Sequence, residues 1–100
     1  MARPEKLDLA LVDGWLARHA GWARVDRAGV AAIAKSYAFG DFAAALAFTV
    51  RLGCIAERRD HHPDIELKWG SVRVVWSTHD AGGISDLDLG AAEAGDTVAG

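Results

Sequence analysis

The feature that most restricts what this chain can become is its middle, where one long helical stretch is flanked on both sides by pairs of short alternating segments. Gly40 breaks the preceding pattern and Asp41 is a strong N-cap. From there Phe42, Ala45, Leu46, Thr49, Leu52, Gly53 and Ala56 recur at helical spacing and predict one buried face. The small residues Ala45, Gly53 and Ala56 would let that face sit close to a sheet. The charged run Glu57-Arg58-Arg59-Asp60 marks the end of the helix. Pro63 requires it to be over by His62, because the residue before a proline avoids the helical region.

Before this helix, Leu7, Leu11, Val12, Trp15 and Leu16 make an apolar stripe that predicts a first helix from Lys6 to His19, stopped by Gly21. Trp22 to Val25 reads as a short strand, Asp26-Arg27-Ala28-Gly29 as a turn, and Val30 onward as the returning strand. After the helix, Ile65, Leu67 and Trp69 alternate with Glu66 and Lys68. Val72, Val74, Trp76 and Thr78 then alternate with Arg73, Val75 and Ser77, and Gly70-Ser71 fits the turn between these two strands. Asp80-Ala81-Gly82-Gly83 reads as loop, Ser85 caps a last helix, and the chain is expected to fray beyond Gly95. The order α-β-β-α-β-β-α predicts an α+β fold in which a four-stranded antiparallel sheet carries its helices on one face.

With 100 residues the chain is long enough for a single domain, residues 1–100, with a thin core. The net charge of −3 and the absence of a long basic run give no footprint for nucleic acid or an anionic membrane. The early apolar run Leu9-Ala10-Leu11-Val12 is too short for a signal peptide, and nothing approaches the length of a membrane span, so a cytoplasmic protein is expected. The single cysteine, Cys54, excludes an internal disulfide and reads as a buried, inert thiol.

Three of the four histidines, His61, His62 and His79, fall within 19 residues, at the end of the long helix and at the end of the last strand. Side chains at such edges can converge on one cleft, and histidine gives and takes protons near neutral pH. Adjacent histidines at a helix C-terminus also simply complement the helix dipole. A zinc site is disfavoured, because neighbouring histidines rarely ligate one ion and no Cys or paired Glu supports them. Asp88 either orients a histidine or completes a capping box with Ser85. Trp69 and Trp76 read as core or interface packing, whereas Trp22 could pack or wall a pocket for a flat ligand.

Glu57 is separated by three residues from His61-His62-Pro63, these by five from Trp69, Trp69 by nine from His79, and His79 by eight from Asp88. This spaced pattern, together with Ser77-Thr78-His79, Gly21-Trp22 and Tyr37-Ala38-Phe39-Gly40-Asp41-Phe42, resembles the pterin-4a-carbinolamine dehydratases over nearly the whole chain. The resemblance implies a hydro-lyase that removes water from a 4a-hydroxytetrahydropterin without metal or redox cofactor, in the recycling of tetrahydropterin for aromatic amino-acid hydroxylation. It implies proton transfer by His61 and His79, and pterin holding with a share of the acid role by His62. Pro63, Thr78, Asp80 and Ala81 would line the pocket, and Asp88 and Trp22 would support it from behind. Family members form homodimers and homotetramers, and some in animals bind a transcription factor, so self-association is expected and a binding scaffold is the alternative to an enzyme.

Overall fold

The computed structural model describes residues 4–100. Its central helix α2 spans Phe42–Arg59 and begins where the sequence predicts, with the Ala44 N–H donating to Asp41 Oδ1 at 2.8 Å. The buried face, however, is Ala45, Phe48, Leu52, Ile55 and Ala56. The predicted face was rotated: Phe42, Leu46 and Gly53 point outward, as do Val50 and Cys54. Phe48 is the reason, since a fully buried ring contributes about 2–3 kcal/mol and fixes which side of the helix meets the sheet. Cys54 is therefore exposed, not the buried thiol expected.

Helix α1 spans Leu9–Arg18 and buries Val12 and Trp15. It starts later than Lys6 because Asp8 is its cap, accepting from the Ala10 N–H at 3.2 Å. Leu7 lies outside the helix and donates its N–H to the Ile84 carbonyl at 2.8 Å, and Leu11 faces solvent. Strands β1 (Ala23–Arg27) and β2 (Val30–Ala38) are joined through Ala28 and Gly29, both at positive φ, with Asp26 Oδ1 accepting from the Gly29 N–H at 2.8 Å. Strands β3 (Asp64–Lys68) and β4 (Ser71–Trp76) pair with Lys68 opposite Ser71. Their turn is thus Trp69-Gly70, one residue earlier than predicted, with Gly70 in the left-handed region at φ 70°. Trp69 stands at this hairpin tip, 72% exposed, and does not pack in the core.

All pairings in the sheet are antiparallel, in the order β1-β2-β4-β3. Ile33 and Tyr37 of β2 and Val72, Val74 and Trp76 of β4 face the helices and share one core with α1, α2 and the last helix, α3 (Asp86–Ala99). Ala32, Ala34 and Val75 lie on the opposite face with Val25. The alanine-rich β2 is therefore a strand despite its propensity, because it pairs along both edges and its large residues alternate into the core. Strand β4 stops at Trp76, so Ser77 and Thr78 lead out of the sheet. A single 3₁₀ turn, His79–Ala81, replaces part of the expected loop. Helix α3 continues through Ala99 and does not fray after Gly95. No helix among the described residues is long and apolar enough to cross a membrane.

Candidate active site

Helix α2 ends in a Schellman-type turn. Asp60 adopts the left-handed conformation (φ 51°), its N–H donates to the Glu57 carbonyl at 3.2 Å, and the His61 N–H reaches back to Ala56 at 3.1 Å. The bend separates the two histidines. His61 turns inward, with Nε2 2.6 Å from Asp88 Oδ1 and a side chain only 12% exposed. His62 turns outward to Glu57, with Nε2 2.8 Å from Oε1. The His61 ring lies over the fully buried Trp76 ring, centroids 5.5 Å apart and planes 16° from parallel.

The third histidine comes from a small closed loop. Thr78 and Gly83 exchange backbone hydrogen bonds, the Thr78 N–H to Gly83 at 2.8 Å and the Gly83 N–H to Thr78 at 3.3 Å. Gly82 turns the chain at φ 71° between them. His79 and Asp80 sit exposed at the front of this loop. Behind it Asp88 is wholly buried at the start of α3, where the capping box read from the sequence is present. Asp88 Oδ2 accepts from the Ser85 N–H at 2.9 Å and from Thr78 Oγ1 at 2.7 Å, while its other oxygen meets His61. Asp88 thus closes the cap and also hydrogen-bonds a histidine.

A cleft of about 350 Å³ collects these groups, lined by Pro4, Asp60, His61, His62, Ser77, Thr78, His79, Asp80 and Leu87. Of the residues expected to line a pocket, His61, His62, Thr78, His79 and Asp80 meet there. Pro63 and Ala81 adjoin it without lining it. Trp22 is elsewhere, buried, with its indole N–H donating to Asp96 Oδ2 at 3.0 Å. Pro4 and Leu87 are lining residues that no local pattern marks; Pro4 comes from the other end of the chain. Among the described residues no group of three or more His, Cys, Asp or Glu is arranged to hold a metal ion.

Asp96 forms a second polar cluster, invisible in the sequence. Lys35 Nζ donates to its Oδ1 at 2.9 Å and the Tyr37 hydroxyl to the same oxygen at 2.6 Å. Burial pushes the Asp96 carboxyl up, but the hydrogen bonds from Tyr37, Lys35 and Trp22 and the Lys35 charge outweigh it and hold the group below its ordinary value. Burial first, then the hydrogen bond and charge of Asp96, raise the Tyr37 hydroxyl far above its own.

The pterin 4 alpha carbinolamine dehydratase family model matches residues 5–98. A protein of Hahella chejuensis, provisionally named a pterin-4-alpha-carbinolamine dehydratase, is 40% identical over 89% of this chain and 80% of its own length. A Bradyrhizobium sp. (strain BTAi1) protein of the same provisional name is 45% identical over 84% of this chain and 83% of its own. The crystal structure of a transcriptional coactivator/pterin dehydratase from Brucella melitensis superposes with a TM-score of 0.87 at 31% identity, covering 96% of this chain and all of that one. A pterin dehydratase-like RuBisCO assembly factor of the alpha-carboxysome shares the fold, with a TM-score of 0.68 at 24% identity over 82% of this chain and 93% of its own. A family match along almost the whole chain, relatives above 40% identity, and a shared order of helices and strands agree: the chain belongs to the pterin-4-alpha-carbinolamine dehydratase family.

Proposed function

We propose that this protein dehydrates a 4a-hydroxytetrahydropterin to the quinonoid dihydropterin, serving tetrahydropterin recycling beside an aromatic amino-acid hydroxylase. The observation that carries the reading is the His61–Asp88 pair, with His61 lining a cleft that His62 and His79 also line. The elimination is redox-neutral. The N5 lone pair becomes the second bond to C4a, the C4a–O bond breaks, the hydroxyl leaves with one proton as water, and the N5 proton passes to a base. Such a reaction needs one proton acceptor and one proton donor on either side of a flat ring. His61 and His79 take these roles. His62, more exposed and tethered to Glu57, holds the pterin and shares the acid role. Thr78 and Asp80 border the ring, with Pro63 and Ala81 shaping the ends of the segments that present it.

The test is the decay of freshly generated 4a-hydroxytetrahydropterin with and without purified protein. The native chain accelerates it, and the double substitution His61→Ala with His79→Ala removes about 10²–10⁴-fold of the rate, the usual span of acid–base catalysis. A native chain that leaves the decay unchanged overturns the enzyme reading and favours a binding scaffold.

A further inference from the structure

Behind His61 the hydrogen bonds can be given a direction. The Ser85 N–H is an obligate donor, and it points to Asp88 Oδ2. Thr78 Oγ1 donates to the same oxygen at 2.7 Å, which uses its only proton. The 2.6 Å contact between Thr78 Oγ1 and Ser85 Oγ then has one solution: Ser85 donates and Thr78 accepts. Ser85 Oγ in turn accepts from the Leu87 N–H at 3.2 Å. Each hydroxyl thus accepts once and donates once, and the chain runs from the first turn of α3 through Ser85 and Thr78 to the carboxylate. Thr78, Ser85 and Asp88 are all buried, at 4%, 1% and 0% exposure, so water does not scramble the order.

Two donors saturate Oδ2, and the remaining proton lies on the line between Oδ1 and His61 Nε2. Imidazole is the stronger base of the two, so that proton rests on Nε2. We propose that Ser85 and Thr78 are positioning residues that fix neutral His61 as its Nε2–H tautomer, leaving Nδ1 as the nitrogen that accepts a proton and committing His61 to the base role. Asp88 balances the positive charge once Nδ1 is protonated. The acid step then falls to His79 with His62. This assignment rests on the dehydratase reading for the reaction it serves, but the tautomer itself does not.

The ring-nitrogen shifts of His61 in ¹⁵N-labelled protein distinguish the two tautomers directly, whether or not the protein turns over a pterin. In the native chain Nε2 carries the proton. Thr78→Val keeps the side-chain shape, removes the donor to Asp88 and brings a mixture of tautomers. It also lowers kcat by about ten- to a hundredfold, the weight of a hydrogen bond to a charged group, with KM changed far less. Thr78→Ser restores the native nitrogen signature. If Thr78→Val does not fold, Ser85→Ala tests the same chain one link further back and shifts the tautomers in the same direction. A native His61 protonated on Nδ1 overturns the proposal, as does a folded Thr78→Val or Ser85→Ala protein with unchanged nitrogen shifts. A native chain without dehydratase activity but with the Nε2–H tautomer and its loss in Thr78→Val removes the function and leaves the positioning chain standing.

Discussion

Two of the aspartates of helix α3, Asp88 in its first turn and Asp96 two turns on, each accept three hydrogen bonds. Their partners differ in kind. Asp96 is met by an indole, an ammonium and a phenol. Asp88 is met by a backbone N–H, a hydroxyl and one imidazole. The first arrangement ties α3 to β2 and to Trp22, just before β1. The second ends on a histidine that lines a cleft. In the dehydratase reading proposed above, two carboxylates on one helix divide into structural and chemical work, and the nature of a single partner separates them.

The largest effect should come from equalising them. Asp88→Asn keeps the shape but cannot accept on both sides without offering its own N–H to a donor, and it should cost about a hundredfold or more in dehydration rate, measured on freshly generated substrate. Asp96→Ala should do the reverse. It leaves Trp22, Lys35 and Tyr37 without their acceptor and lowers unfolding free energy by about 2 kcal/mol in urea titration, with the rate per folded molecule unchanged. The smaller effect lies in the pH dependence of stability. The folded Asp96 carboxyl titrates below its unfolded value of 3.8, so its contribution is complete above that value and fades as pH falls through the folded one. The Tyr37 hydroxyl titrates above its unfolded value of 10.0, so its contribution is complete below pH 10.0 and fades as pH rises through the folded one. Asp96→Asn should flatten the acid limb of the stability curve and Tyr37→Phe the alkaline limb, as followed by thermal unfolding. Limbs unchanged in both variants would mean that the cluster is not a titrating clasp.

What the sequence revealed follows the same division. The order of elements was legible because Asp41, Asp26, Ser85 and Gly40 act locally, each within a few residues of its own position. The histidine cleft was legible for a similar reason, since the end of α2 and the loop after β4 each present their histidines by local turns. The burial side of α2 was not, because it depends on Phe48 meeting a sheet that the helix itself does not encode. The Asp96 cluster was hidden more deeply. Trp22, Lys35 and Tyr37 lie 59 to 74 residues from it, and an aspartate after Gly95 looks like a solvated chain end until those three are in place. Of the two roles its helix-to-strand junction leaves open for Trp22, the structure shows packing: the ring is buried in the core and its polar edge turns to Asp96, outside the lining of the cleft.

Asp60 holds a backbone conformation that glycine adopts freely and that costs an L-residue about 1 kcal/mol. Against that cost, an aspartate has fewer conformations than glycine in the unfolded chain and less freedom to swing once folded. The joint between α2 and the histidine pair is therefore stiff. His61 and His62 are sent to opposite sides by the helix end itself, before any ligand arrives, and the entropy of placing them belongs to folding and not to binding.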